Sequence, residues 1–333
     1  MIINYLKSKV KQLQPQFTPP LAGLKQWHAL SIEEQTAANN AVLDEKVIRW
    51  NGLMARAERV EKGNKGSFHV LFPHIPKTGG TTLDYVITKN YKIDFVYRAN
   101  AGSIEQNLAG LYKMHNVFKV HRVMMGHIEL SDYIYQLLER PRLVQFVLLR
   151  DPVSRVVSYY DYVRTGPNHP KHAIAKDMSL REFVSSPQID DVRNGQTYRI
   201  LGWLKDNYWQ QHNHTEAEVL KRVKEQLVKR YSLFGLTEQY DQFLLMAHTL
   251  LGWQDIYYER KNKSRQKTDK SSIDEATLQL IRKNNSIDCA LYDFAKECLN
   301  KRYEQLGLND ERIQLFRSRN QDYVNILNQN YES

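Results

Sequence analysis

Residues Phe72 to Ile87 read FPHIPKTGGTTLDYVI. The run FHVLF that leads into them (Phe68 to Phe72) is short and apolar, which predicts a buried strand rather than a helix. Pro73, Pro76, Gly79 and Gly80 then make a turn, and a helix is expected from about Thr81. Glycines let backbone N–H groups close around an anion, and a helix N-terminus adds unpaired donors and about half a positive charge. Lys77 supplies a full charge; Thr78, Thr81 and Thr82 supply hydroxyls. A plain strand-turn-helix corner has no use for a lysine and three threonines around its glycines. The stretch therefore reads as a cradle for phosphate or sulfonate built from Lys77, Thr78, Gly79, Gly80, Thr81 and Thr82. Its spacing is not the GxxxxGK[ST] of the familiar nucleotide loop, so the anion has to be read from elsewhere in the chain.

A second stretch, VLLRDPVSRVVSYYDYVR (Val147 to Arg164), has the same build. A hydrophobic strand ends at Arg150, Asp151 suits an N-cap, and Pro152 suits the first helical position. Arg150 then stands at the C-terminal end of a strand, where open α/β sheets bind ligands. Ser158 follows two helical turns later, and an arginine and a hydroxyl so placed can grip a second phosphate. FKVHRVMM (Phe118 to Met125), LVQFVLLR (Leu143 to Arg150) and SLFGL (Ser232 to Leu236) complete a set of strands that alternates with amphipathic stretches. That alternation predicts an α/β fold, with a central parallel sheet covered by helices.

Together, HIPKTGGTTL and LLRDPVSRVVSYY resemble the 5'-phosphosulfate loop and the 3'-phosphate motif of sulfotransferases that use 3'-phosphoadenosine-5'-phosphosulfate (PAPS). The similarity is to the family that includes heparan sulfate 2-O-sulfotransferase. It extends with decreasing strength from Phe68 to Leu299, taking in NGQTYRILG (Asn194 to Gly202) and LFGLTEQYDQFLLMAHTLLGW (Leu233 to Trp253). The resemblance implies a P-loop-like core, PAPS as donor with 3'-phosphoadenosine-5'-phosphate (PAP) as product, and no metal. By position it makes Lys77 the contact to the transferring sulfonate and leaving phosphate, with Thr78 to Thr82 around it. Arg150 and Ser158 become the holders of the 3'-phosphate. Arg260, Lys261 and Lys263 are weaker candidates, in the segment Tyr258 to Lys270 that would close over donor and acceptor.

An acceptor hydroxyl should lose its proton as it attacks, and a base titrating near neutrality suits that task. His127, in HRVMMGHIEL, follows a predicted strand and a glycine, which puts it at the same sheet edge as the two anion motifs. The resembling family carries its catalytic histidine after just such a strand and glycine. The heparan enzymes have a second histidine two positions earlier, where this chain has Met125. Glu129 is the fallback base, His74 is a candidate to approach the donor, and His212 with His214 makes a poor metal pair. The tyrosines Tyr159, Tyr160 and Tyr162 read as helix packing rather than a platform for sugar.

The 333-residue chain carries a formal net charge of +10, which favours an anionic partner. Its 42% hydrophobic content argues for a folded protein. Residues 1–66, Pro-interrupted and then helix-like from Ser31 with Glu34 in a capping-box pattern, read as a helical extension and a candidate determinant of homo-oligomerisation. Residues 67–300 read as the catalytic domain and 301–333 as a helical tail. No apolar leader or membrane-length run is visible, so the expectation is a cytoplasmic enzyme with no transmembrane span. The acceptor is expected to be a hydroxyl compound, a saccharide above all. Two other classes compete. A nucleotide-dependent kinase would need carboxylates for Mg²⁺ near the loop, for which Asp84 and Asp151 are the candidates. A non-enzymatic binder of nucleic acid would need a gathered basic face, and no nucleic-acid module is recognisable.

Overall fold

A computed structural model describes residues 70–91, 96–99, 123–128, 144–202, 214–260 and 268–331. In chain order it contains β1 (Val70–Pro73), α1 (Gly80–Asn90), β2 (Val96–Ala99), β3 (Val123–Gly126), β4 (Val144–Leu149), α2 (Pro152–Thr165), α3 (His172–Ala175) and α4 (Leu180–Ser185). These are followed by α5 (Gly195–Leu201), α6 (Glu216–Arg230), β5 (Leu233–Leu236), α7 (Tyr240–Leu251), α8 (Glu275–Asn284), α9 (Ser286–Gln305) and α10 (Asp310–Tyr331).

The strands form one parallel sheet in the order β2-β3-β1-β4-β5. Every residue of β1 and of β4 is buried. This is why their sequences are continuous apolar runs and not the alternation of a half-exposed strand: helices cover both faces of a parallel sheet. The chain builds β3 on one side of β1 and β4 on the other, so the crevice beyond the C-terminal ends of these strands is a topological switch point, the place where such sheets take ligands. Phe72 stacks on Phe146 across the sheet with ring centroids 5.3 Å apart, and Phe146 meets Trp253 edge-on at 5.7 Å.

The α/β expectation is met. β2 is the strand that periodicity missed: it is four residues long, lies at the sheet edge, and its Arg98 is exposed and paired with Asp84 at 2.8 Å. β3 begins at Val123, and the Phe118 to Arg122 part of that expected strand lies outside the described residues, as do residues 1–66 with their expected helical extension and oligomerisation role. Past residue 301, α9 ends at Gln305 and α10 (Asp310–Tyr331) docks on the core. Phe316 is buried and stacks on Tyr257, Arg317 pairs with Asp241 at 2.7 Å, and Asn320 bonds both the N–H and the C=O of Tyr258. Among the described residues no helix is long and apolar enough to cross a membrane.

Candidate active site

β1 runs into the loop His74 to Gly79, and α1 starts at Gly80. Two loop residues have left-handed backbones, Lys77 at φ 69° and Gly79 at φ 86°. The second requires glycine, and a lysine in the first is uncommon enough to suggest that its conformation is imposed by its surroundings. Those surroundings are visible. Arg150 Nη1 donates to the Lys77 carbonyl at 2.8 Å, and the Thr237 hydroxyl lies 2.7 Å from the Thr78 carbonyl and 3.0 Å from that of Leu149. The ends of β4 and β5 thus hold the loop's carbonyls. Gly79, as N-cap, has no side chain to offer the first turn of α1. Gly80 is needed for space, since a Cβ there would lie 2.0 Å from His74 Cδ2.

Lys77, Gly79, Gly80, Thr81 and Thr82 line a cleft of about 520 Å³. Thr78 does not: it is fully buried and donates its hydroxyl to the Ile75 carbonyl at 2.8 Å. Its side chain builds the turn, leaving only its backbone for an anion. The sequence could not separate the three threonines because each stands beside the glycines.

Arg150 directly follows β4, and its backbone is clamped by one side chain. Gln196 Oε1 accepts from Arg150 N, and Gln196 Nε2 donates to Arg150 O, both at 2.9 Å. Gln196 is itself held by α5. Asp288 accepts from the N–H of Gln196 at 3.0 Å and from that of Thr197 at 2.8 Å, while Asn285 accepts from Asn194 N at 3.0 Å. The NGQT segment is therefore the mount on which Arg150 sits. Among the described residues Arg150 Nε is buried without a hydrogen-bond partner, with Glu238 Oε1 at 3.9 Å. Burial lowers the Arg150 pKa, yet a guanidinium stays protonated in water-accessible protein sites. A buried cationic donor left open at a cleft is a specific invitation to an anion.

Ser158 lines the same cleft from α2, with Ser154 and Asp161 on the same helical face. The chain segment returning at Thr268 is pinned to this face. Thr268 N and its hydroxyl donate to Asp161 at 3.0 and 2.6 Å, and Lys270 Nζ reaches Ser154 Oγ at 2.5 Å. Arg260 and Lys270 line the cleft together with Lys77 and Arg150, against one carboxylate, Asp161, among the described lining residues. The expected closing segment is thus partly present in the site, while Lys261 and Lys263 lie outside the described residues. Ser154, Asp161 and Thr237 escaped the sequence reading, whereas Lys270 ends the segment expected to close over the site. Thr237 could have been found, because it follows β5 as Arg150 follows β4.

His127 sits just past β3 at this edge. Its Nδ1 is 3.0 Å from the His74 carbonyl oxygen, and a carbonyl only accepts, so Nδ1 carries the proton and Nε2 keeps its lone pair. Burial pushes the His127 pKa below the ordinary histidine value; the bond to His74 opposes this, Arg199 adds to it and Asp191 opposes it. Met125, where a second histidine was sought, is buried in register with Phe72. His74 is held down to about 3, chiefly by burial. Glu129 and His212 lie outside the described residues. Asp84 serves Arg98 and Asp151 caps α2 through Ser154 N at 2.8 Å, so both carboxylates of the kinase reading already have partners in the fold. Among the described residues no group of three or more His, Cys, Asp or Glu could hold a metal.

Tyr159 and Tyr160 are buried around Phe183, as helix packing requires, but Tyr162 is 48% exposed and lines the cleft. Lys77 Nζ lies 4.4 Å from its ring centroid. Burial lowers the Lys77 pKa and Arg150 lowers it further, while Asp161 opposes both. The aromatic face supports the ammonium form. Tyr162→Phe is expected to leave turnover unchanged and Tyr162→Leu to reduce it about three- to tenfold, measured as steady-state kcat/KM.

Comparison with known proteins agrees with this geometry. Residues 65–295 match the model of the Sulfotransferase family. A heparin sulfate O-sulfotransferase of Drosophila melanogaster is 27% identical over 255 residues, covering 68% of this chain and 70% of the fly protein. Heparan-sulfate 6-O-sulfotransferase 2 of Gallus gallus is 24% identical over 289 residues, covering 74% of this chain and 71% of its own. Human heparan-sulfate 6-O-sulfotransferase 1 is 25% identical over 295 residues, covering 74% and 70%. With its family match spanning the sheet, the anion loop, Arg150 and His127, the chain belongs to the Sulfotransferase family and is a PAPS-dependent sulfotransferase.

Proposed function

We propose that this enzyme transfers the sulfonate of PAPS to a hydroxyl of an anionic glycan of the glycosaminoglycan type, with His127 as general base and Lys77 stabilising the transferring group. The observation that carries the reading is the His127 Nδ1 bond to the His74 carbonyl, which presents Nε2 as an acceptor at the sheet edge that also bears the Lys77 loop.

The residues present fit PAPS. Gly80 is pressed to the His74 ring so that the loop backbone can close, and Arg150, whose Nε is a buried donor with no hydrogen-bond partner among the described residues, lines the same cleft as Ser158. Lys77 and the loop N–H groups would hold the 5' end, and Arg150 and Ser158 the 3'-phosphate, with Arg260 and Lys270 close by. When bound, PAPS supplies the activated sulfonate. The protein's part is positioning and charge stabilisation, as in phosphoryl transfer, where charge spreads over peripheral oxygens. Lys77 meets the charge that grows on the leaving phosphate, and His127 Nε2 takes the proton from the acceptor hydroxyl. The glycan is argued from the excess of cations in the cleft and from the heparan substrates named for the relatives.

The test is transfer of ³⁵S from labelled PAPS to heparosan, N-sulfated heparosan, chondroitin and dermatan, followed by disaccharide analysis. Label in one of these polysaccharides supports the reading; label in none, with PAP still bound, would remove the glycan assignment. The pH profile gives a second check. A base works unprotonated, and burial holds His127 below the usual histidine pKa of about 6.5. The midpoint of the acid limb of kcat/KM is therefore expected below pH 6.5, with more than half of the maximal value retained at that pH; a midpoint above 7 would contradict it.

A further inference from the structure

His74 is the second residue of HIPKTGG, and neither the donor site nor the transfer step accounts for its side chain. We propose that it is the positioning residue for His127: its carbonyl and its ring together fix the tautomer, the plane and the neutral state of the base. The proposal rests on His127 being that base.

Four observations converge on it. The His74 carbonyl is the partner of His127 Nδ1 at 3.0 Å, so the proton is kept on the nitrogen that does not face the reaction. The His74 and His127 rings are stacked, 4.6 Å apart and 21° from parallel. On the core side, His74 stacks on Phe72 at 5.8 Å, and Phe72 on Phe146 at 5.3 Å. Phe146, Phe72, His74 and His127 thus form one column of rings running from the centre of the sheet into the cleft. Finally, the His74 backbone N–H donates to the Gly126 carbonyl at 2.7 Å, which ties the loop to the residue preceding His127, and Gly80 leaves just enough room for the His74 ring.

The column has a chemical consequence. Stacking excludes water from one face of His127, and water is what would stabilise its imidazolium form. His74 adds no charge of its own in the working pH range, since it is held neutral. Among the described residues, the charged and titratable groups that face the pair are Arg199 on α5, Asp191 in the turn before it, and Lys77 on the loop. Arg199 and Asp191 bond each other at 3.2 Å, so they act on His127 as a pair. His74 is the neighbour whose removal would let water reach the ring. Met125 is a thioether buried in the core and has no imidazole; the imidazole beside the base comes from the loop after β1.

The experiment compares His74→Phe, which keeps a stacking ring and the carbonyl, with His74→Ala, which keeps only the carbonyl. PAP titration calorimetry identifies folded variants with an intact donor site. Nitrogen-15 histidine NMR of PAP-bound protein then reads the His127 tautomer and its titration directly, and kcat/KM against pH reads the function. Wild type and His74→Phe are expected to share one His127 titration midpoint and one acid limb. In His74→Ala the midpoint and limb should move upward toward the free-histidine value and kcat should fall about tenfold. If His74→Ala binds PAP and leaves the His127 midpoint and tautomer unchanged, His74 only packs the turn and the proposal is wrong. If His127→Ala transfers sulfonate at the wild-type rate, the underlying assignment of the base fails instead, which the NMR result alone would not produce.

Discussion

His127→Ala should bind PAP with wild-type affinity and transfer sulfonate about 10²- to 10⁴-fold more slowly. The size follows from the role proposed for the side chain. A positioned base removes the proton as the hydroxyl attacks, and without it the nucleophile must react as the neutral alcohol. The affinity should hold because His127 meets the protein through Nδ1 and the His74 carbonyl, and leaves Lys77, Arg150 and Ser158 in place. His127→Gln restores a side chain that can donate to that carbonyl but cannot accept a proton near neutrality, so it should be as slow as the alanine variant. Single-turnover measurements at saturating PAPS check this, because they separate transfer from donor binding. A His127→Ala enzyme within threefold of wild type would move the base elsewhere.

Lys77→Ala is expected to lower kcat by about 10²- to 10³-fold, the range seen when one preorganised charge or donor is removed from a transition state. Lys77 is half-buried and held by Tyr162 on one side, with Asp161 and Arg150 acting on it electrostatically. Its ammonium therefore needs little reorganisation to meet developing charge on the leaving phosphate. Lys77→Arg should recover little: the guanidinium is a planar fork that directs its charge differently from a compact ammonium, and the left-handed backbone at position 77 fixes where the side chain starts. PAP affinity should fall less than kcat, since Arg150 and Ser158 remain. A variant that lost affinity but kept kcat would show Lys77 to be a binding residue only.

Much of this was legible in the chain because the fold puts all its chemistry at one sheet edge. The apolar runs of β1 and β4 fix two strands, and the residues just past them, the Lys77 loop and Arg150, read as ligand-binding once the glycines, lysine and threonines of the loop and the family resemblance are taken with that placement. His127 followed from the same rule applied to β3. Other parts were not legible for physical reasons. Thr78 looks like its neighbouring threonines, and only its hydrogen bond to Ile75 separates the one that builds the turn from those that line the cleft. Tyr162 shares its helix with two packing tyrosines, and one helical step decides that it faces Lys77 instead. The resemblance places the segment Tyr258 to Lys270 over the site, but the contacts that seat Thr268 and Lys270 there, to Asp161 and Ser154 more than a hundred positions away, are recorded in no local pattern. The role of NGQTYRILG as a mount for Arg150 is likewise a matter of tertiary bonds from Asn285 and Asp288.

The central claim is a donor site with an anion holder at each end of an adenosine, and calorimetric titration with PAP tests it most directly. The account predicts one PAP per chain, bound at micromolar concentration or tighter, with adenosine 5'-phosphate bound at least about tenfold more weakly for want of the second phosphate. Arg150→Ala should erase that difference. Absence of PAP binding, or equal affinity for the two nucleotides in the wild-type protein, would contradict it.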